Sequence, residues 1–165
     1  MNLDEFRQAL KARFADLDFH PDPLNPQALK MPAAGVPDVF RWLRDASETR
    51  MESLEFSTAA DYPPTHLTLV YYLYSFTLRH RLALKVDLPR DSASIPTLSH
   101  LWANADWNER EIYDLYGVFF EGHPDLRRIL MPEDYVGWPQ RRDFPVGGEP
   151  VIFTRDEVTN PGWWK

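Results

Sequence analysis

Three strand-like segments follow one another between residues 51 and 89 and restrict the possible folds more than any other part of the sequence. The first two, MESLEFSTAADYP and THLTLVYYLYSFTL, are rich in β-branched and aromatic residues, which favour strands. In the third, HRLALKVDLP, Leu and Val alternate with mainly polar residues, and this period of two is typical of a half-buried strand. Short connections place the segments in hairpin order, so we predict an antiparallel-rich sheet.

Helical patterns precede this strand-rich region. From Leu3 to Phe14, apolar residues recur every three or four positions, with acids in the first turn and bases in the last. A short strand is predicted around Gln27 to Met31, and a second helix follows in GVPDVFRWLRDAS. This order of elements predicts an α+β fold, in which a mixed, antiparallel-rich sheet carries helices on one face in a two-layer domain.

A third helix is predicted in the segment ADWNEREIYDLYG. Asp106 is its expected N-cap, Glu109 the capping-box partner three residues later, and Gly117 the left-handed stop. From Val118 onward prolines recur, and 15 prolines in 165 residues disfavour long regular elements there. We therefore predict an α+β domain at residues 1–117 and a long extended tail at residues 118–165 that packs on a partner protein. Its aromatic residues, which we expect to be exposed, support that reading: Trp138, Phe144, Phe153, Trp163 and Trp164.

Composition argues against several classes of function. The chain has no cysteine, so it holds no disulfide and no iron–sulfur cluster by thiolate ligation. A formal net charge of -7 disfavours nucleic-acid binding, which needs clustered positive charge. No window reaches the about 20 apolar residues of a membrane-spanning helix. Because the N-terminal sequence also lacks the features of a signal peptide, we expect a cytoplasmic protein.

The third helix carries a dense set of charges with two possible meanings. In one, Glu109, Glu111 and Asp114 form a carboxylate cluster for general acid and base catalysis, as in a hydrolase. In the other, the charges are structural: Glu109 caps the helix, and Arg110 and Asp114 form an ion pair one turn apart. Three further residues of this helix are then predicted to face the core: Ile112, Leu115 and Tyr116.

A histidine and two arginine pairs follow this helix. His123 in GHPD could be a metal ligand or a proton carrier, but no second His or Cys lies at ligand spacing. A turn histidine hydrogen-bonded to the backbone or to a neighbouring acid is therefore favoured. The pairs Arg127–Arg128 and Arg141–Arg142 could bind phosphate groups. Because each pair lies beside acids such as Asp125 and Asp143, ion pairs within the chain or between proteins are the preferred reading.

The segment EREIYDLYGVFFEGHPDLRRIL, residues 109–130, resembles the signature of the C subunit of respiratory complex I, the thirty-kilodalton subunit family of NADH:quinone oxidoreductase. The following LMPEDYVGWPQRRDFP resembles the family's continuation, in which a Gly-x-Pro turn leads to a basic pair and an Asp. On this resemblance the motif and interface residues are Glu109, Arg110, Glu111, Asp114, Tyr116, His123, Arg127, Arg128, Arg141, Arg142 and Asp143.

The resemblance implies a non-redox structural subunit that braces the quinone-site subunit in the hydrophilic arm of a proton-pumping translocase of the respiratory chain. It implies no catalytic site and no cofactor in this chain, with FMN and iron–sulfur clusters held by partner subunits. The D subunit and the cluster-bearing B and I subunits of complex I are the implied partners, at the cytoplasmic face of the cell inner membrane. The equivalent subunit of a complex fed by ferredoxin, a deazaflavin cofactor or hydrogen is the alternative.

Overall fold

A computed structural model describes residues 1–145 of the chain. It opens with helix α1, Leu3–Arg13, whose start is fixed by a capping box. The Asn2 side-chain oxygen accepts the Glu5 backbone N–H at 2.9 Å, and the Glu5 carboxylate accepts the Asn2 backbone N–H at 2.9 Å. Phe6 and Leu10 are the buried residues of α1, as the apolar spacing predicts.

Five strands form the main sheet. Along the chain they are β1 His20–Asp22, β2 Asn25–Met31, β3 Ser53–Tyr62, β4 His66–Ser75 and β5 His80–Pro89. Their spatial order is β1-β2-β5-β4-β3, with β2 and β5 parallel and every other pair antiparallel. The sheet is therefore mixed and antiparallel-rich, as predicted from the sequence.

Helices cover one face of this sheet. Helix α2, Val36–Asp45, lies between β2 and β3 in the chain and buries Val39, Phe40 and Leu43. Phe40 packs edge-on against Tyr71 of β4, with ring centroids 4.9 Å apart. The alternating apolar residues of β5 are buried on the same side. The alternation in the sequence therefore correctly predicts which residues of this strand face the core. The α+β fold predicted from the sequence is confirmed.

A second, smaller sheet follows β5. Strand β6, Ser94–Pro96, pairs in parallel with β7, Phe119–Glu121, and helix α3, Ala105–Tyr116, connects them. The sequence did not predict β6 or β7, because three-residue strands between prolines and turns carry too little periodicity. It also missed β1, which contains Pro21. In the part of the chain that the structure describes, no helix has the length and apolarity needed to cross a bilayer.

Two sequence predictions about exposure and capping are corrected. Asp106 is not the N-cap of α3, because the helix begins at Ala105 and Asn104 occupies the cap position without a side-chain hydrogen bond. Trp138 and Phe144 are half-buried rather than exposed. The Trp138 ring packs on Tyr113 of α3 at 5.6 Å, and Phe144 stacks on Tyr135 at 6.0 Å. Residues 146–165, with Phe153, Trp163 and Trp164, lie outside the described residues.

Candidate functional site

The signature residues lie on α3 and on residues 118–145, which we call the post-helix segment. Helix α3 ends at Gly117, whose φ of 72° is the left-handed conformation predicted for the stop. A Cβ atom at position 117 would lie 2.5 Å from the Trp138 ring, so glycine is required by packing as well as by conformation. The helix end and the post-helix segment are thus in close contact.

Asp114 is the centre of this contact. Its Oδ2 atom accepts three consecutive backbone N–H groups, from Ile129 at 3.0 Å, Leu130 at 2.7 Å and Met131 at 2.8 Å. Its Oδ1 atom accepts the Arg128 guanidinium at 2.6 Å. Burial opposes the charge, but these donors outweigh it and hold the pKa of Asp114 below its ordinary value. The carboxylate therefore stays ionised although its side chain is fully buried.

Arg128 extends the same network along the post-helix segment. Its guanidinium donates to the backbone oxygens of Tyr135 at 2.9 Å and Gly137 at 3.0 Å. It also lies over the Trp138 ring, 4.8 Å from the centroid. One arginine thus orders residues 128–138 around the end of α3.

Arg110 makes backbone contacts instead of the predicted ion pair with Asp114. Its guanidinium donates to the carbonyl oxygens of Arg127 and Arg128, both at 3.3 Å, and lies over the exposed Trp107 ring at 5.1 Å. The predicted pair is wrong because Arg128 and three N–H groups occupy the Asp114 carboxylate. Sequence spacing alone gives no sign of this competition.

Glu109 is buried on the opposite flank of α3, where it does not complete a capping box. Its carboxylate, 1% exposed, accepts the Leu98 backbone N–H at 2.6 Å and the Thr97 hydroxyl. Burial raises the pKa of Glu109 to about 7, and the two neutral donors only partly offset that effect. The capping role predicted for Glu109 is wrong because its side chain faces the turn after β6 rather than the start of its own helix.

His123 closes the turn after β7. Its Nε2 atom lies 3.2 Å from the Asp106 carbonyl oxygen, and its Nδ1 atom accepts the Asp125 backbone N–H at 3.1 Å. These contacts fit the backbone-bonded turn histidine favoured by the sequence, with the proton on Nε2. Among residues 1–145, no group of three or more His, Cys, Asp or Glu side chains is arranged to hold a metal ion.

The second basic pair, Arg141–Arg142, lies against the end of the main sheet. No sequence pattern indicates the residues that surround it there. Arg90 donates to Asp61 at 2.8 and 3.0 Å and to Asp143 at 2.5 and 3.0 Å. Asp61 also accepts the Arg142 backbone N–H at 2.8 Å. The hydrogen bonds from Arg90 lower the pKa of both carboxyl groups. Arg141 donates to the Tyr116 carbonyl oxygen at 2.7 Å, which attaches the same stretch to α3.

Of the remaining signature side chains, Tyr116 is partly buried and the others face solvent. Glu111 is exposed, Arg142 is exposed, and Arg127 forms a surface ion pair with Asp125 at 2.8 Å. Leu115 and Tyr116 are half-buried, and only Tyr116 of the two packs against the core. Because Glu109 and Asp114 are buried among different partners while Glu111 is exposed, the three carboxylates do not converge on one cleft. The geometry gives no support to the hydrolase interpretation.

Comparison with known proteins bears on this arrangement. The family model described as "Respiratory-chain NADH dehydrogenase, 30 Kd subunit" matches residues 29–150. The C subunit of the NADH-quinone oxidoreductase of Roseiflexus castenholzii is 46% identical over 121 residues, covering 72% of this chain and 70% of that protein. The corresponding C subunit of Saccharopolyspora erythraea is 41% identical over 127 residues, covering 75% of this chain but only 51% of that relative.

Two solved structures share the fold. The trypsin-resistant fragment (1-134) of Nqo5 matches with a TM-score of 0.62 and 25% identity, covering 76% of this chain and 100% of the fragment. A chain of the membrane-bound sulfane sulfur reductase, an archaeal respiratory membrane complex, matches with a TM-score of 0.68 and 25% identity. That match covers 86% of this chain and 85% of the other.

Proposed function

Because the chain belongs to the 30 kDa subunit family of respiratory-chain NADH dehydrogenase, we propose that it is a non-redox structural subunit of a proton-pumping NADH:quinone oxidoreductase. In this role it braces the quinone-site subunit within the hydrophilic arm and has no catalytic site of its own. Its contribution to electron transfer from NADH to quinone is to hold neighbouring subunits in position.

The engagement of Asp114 by Arg128 and three backbone N–H groups carries this proposal. An acid that accepts four donors in a buried site has little capacity left to move a proton, and its contacts fix the path of the post-helix segment. In this proposal the signature residues hold the post-helix segment in a fixed position against α3. The exposed Glu111 and Arg142 remain on the outside of that contact and are available to a partner.

The proposed partners are those that the resemblance to the family implies. The D subunit and the cluster-bearing B and I subunits of complex I are the proposed neighbours, and FMN and iron–sulfur clusters belong to partner subunits. The proposed location is the cytoplasmic face of the cell inner membrane, where the chain is attached through the complex. The proposed boundary between the α+β domain and the segment that contacts partners is residue 117.

The structural match to the archaeal sulfane sulfur reductase favours a second candidate. The chain would then be the equivalent subunit of a related membrane complex that takes electrons from ferredoxin, a deazaflavin cofactor or hydrogen. The two candidates share the bracing role and differ only in the input module.

The first test isolates the complex from native membranes through an N-terminal tag on this chain, using native gels and mass spectrometry. Co-migration with flavoprotein, cluster-bearing and membrane subunits, together with NADH-driven quinone reduction, is expected. A different input module would select the second candidate. A lone monomer, in cells that express the other subunits, would overturn both.

The second test uses Glu111→Gln, because an exposed acid can be neutralised without disturbing the fold. We expect the amount of assembled complex to fall by about fivefold, as for a loss of about 1 kcal/mol at an interface, with unchanged turnover per complex. Glu48→Gln, at another exposed acid, is the matched control and is expected to assemble normally. Normal assembly with lost quinone reduction would instead place Glu111 in the reaction.

A further inference from the structure

The face of the main sheet opposite the helices carries a contiguous strip of aromatic side chains. Phe56 of β3 stacks on Tyr72 of β4, with ring centroids 4.5 Å apart. Two residues further along β4, Tyr74 packs edge-on against Phe76 at 5.0 Å, and the Arg81 guanidinium covers its ring at 5.0 Å. Phe56 is 45% exposed and Phe76 is 64% exposed. Contiguous exposed rings of this kind mark interaction sites rather than ordinary surface.

Other exposed apolar residues lie around the same strip. Leu78 follows Phe76 in the turn between β4 and β5 and is exposed. Met1 and Leu24 are also exposed, Met1 beside Tyr72 in one shallow groove and Leu24 in another at the far end of the face. Of the nine large apolar side chains exposed in residues 1–145, five thus lie on this face or at its rim. The other four, Trp107, Phe119, Leu130 and Val136, lie on α3, β7 and the post-helix segment.

The charged side chains of this face are already neutralised across strands. Three ion pairs cross the sheet on this side: Arg81–Glu55 at 3.1 Å, Lys30–Asp87 at 2.6 Å, and Lys85–Asp22. The face therefore has balanced charge, although the whole chain carries a formal net charge of -7. A polyanion or an anionic lipid surface requires unpaired positive charge, whereas an uncharged apolar surface does not.

The size of the face suits a protein partner. Five strands about 4.8 Å apart, up to ten residues long at about 3.3 Å per residue, give a face of roughly 600 Å² in projection. A standard protein interface buries about 800 Å² on each partner. A pleated surface with projecting rings offers more contact area than its projection, so this face alone is large enough for a specific interface.

We propose that this open face is a docking surface for an uncharged, apolar surface of another subunit of the oxidoreductase complex. The inference rests on the proposed function, which supplies the multi-subunit setting, and it adds a second contact region distinct from α3 and the post-helix segment. The aromatic strip on β3 and β4 forms the apolar part of the contact, and the three ion pairs, two of which join β1, β2 and β5, form its polar part.

Photo-crosslinking in the native complex tests the occupant directly. Phe56 is replaced by the photoreactive p-benzoylphenylalanine, which keeps an aromatic ring at that position, and Gln8 on the exposed side of α1 receives the same residue as a control. Irradiation of membranes is expected to join position 56, but not position 8, covalently to a different protein subunit. A product with a second copy of this chain, with lipid, or no product at all in the assembled complex would overturn the proposal.

A charge placed in the strip tests its energetic weight. Phe56→Glu puts an uncompensated acid into a neutral apolar contact, and we expect the assembled fraction of the chain to fall by at least about tenfold. Gln8→Glu is the matched control, and the melting temperature of each free subunit checks that the fold is intact. If the wild-type chain assembles and Phe56→Glu assembles equally well, this inference fails while the proposed function stands. If the wild-type chain itself joins no complex, the proposed function fails.

Discussion

Two acids of the same helix, Glu109 and Asp114, are both buried, yet their pKa values are shifted in opposite directions. Asp114 receives a guanidinium and three backbone N–H groups, and its pKa is lowered. Glu109 receives one hydroxyl and one backbone N–H, with no cation in contact, and burial raises its pKa to about 7. Burial opposes the charge of both acids, and the number and charge of the donors decide whether that effect is outweighed, as it is for Asp114 but not for Glu109.

The difference separates two functions of one signature. The Asp114 end is an ionised centre that fixes the course of the post-helix segment. The Glu109 end joins α3 to the turn after β6 through a group that changes charge near neutral pH. The charged and titratable groups around Glu109 are Asp106 of its own helix, His123 of the turn after β7 and Tyr71 of β4. None of them supplies a fixed positive charge.

Asp114→Ala should have the largest effect on stability. The substitution leaves three buried N–H groups and the Arg128 guanidinium without their acceptor, so we expect a loss of about 3–5 kcal/mol in the free energy of unfolding. Urea denaturation at pH 7 measures it. Because the folded-state pKa is lowered, the contribution of Asp114 is present above its ordinary pKa of 3.8 and is lost as pH falls through the folded value.

The matched control for Asp114→Ala is Glu111→Ala, which removes an exposed acid from the same helix and should change stability by no more than about 0.5 kcal/mol. Equal losses in the two variants would show that Asp114 is not the centre of the contact. Burial and hydrogen bonding of the acid would then not explain its contribution to stability.

Glu109→Gln should change the pH dependence of stability. The folded-state pKa of about 7 lies above the ordinary 4.5, so the folded protein holds this proton more tightly than the unfolded chain does. The contribution of Glu109 to the free energy of unfolding therefore falls by about 3 kcal/mol as pH rises through that window. The glutamine variant keeps one acceptor oxygen for the Leu98 N–H, places an NH2 donor beside the Thr97 hydroxyl, and has no charge, so it lacks this contribution.

The readout for Glu109→Gln is the difference in unfolding free energy between variant and wild type, measured from pH 4 to pH 8. The difference should shift in favour of the variant as pH rises, and groups common to both proteins cancel. Glu111→Gln, which is exposed, should give a flat difference. A flat difference for Glu109→Gln as well would mean that Glu109 is ionised throughout, like Asp114.

Asp143→Asn should have the smallest effect, because this carboxylate is largely exposed although it pairs with Arg90. We expect faster hydrogen exchange at residues 141–144, with exchange in α3 unchanged. Raising the salt concentration in the wild type should have a similar, weaker effect. Loss of protection in α3 would show that the two attachment points of the post-helix segment are not independent.

The sequence predicted the elements whose cause is local. Gly117 follows the last helical residue and needs a left-handed conformation, so its role is readable from a few neighbours. The alternation in β5 and the spacing in α1 are equally local, and both elements form where expected. These patterns depend only on the period of the backbone.

The partners of the signature residues could not be read in this way. Glu109 accepts hydrogen bonds from Thr97 and Leu98, which precede the helix. Helix-capping patterns do not include residues at this distance from the helix start. Asp114 accepts hydrogen bonds from residues that follow the helix, so the predicted pair with Arg110 does not form. The donors come from the tertiary fold, and intervals along one helix cannot indicate them.

The attachment points of the post-helix segment differ greatly in their separation along the chain. Asp114 meets its backbone donors 15 to 17 residues away, whereas Arg90 and Asp143 are 53 residues apart and Asp61 and Arg142 are 81 apart. Closing the longest of these loops costs roughly 1.5 kcal/mol more entropy than closing the shortest. The loop-closure cost alone therefore favours the contacts of Asp114 over the attachment of residues 141–143 to the sheet.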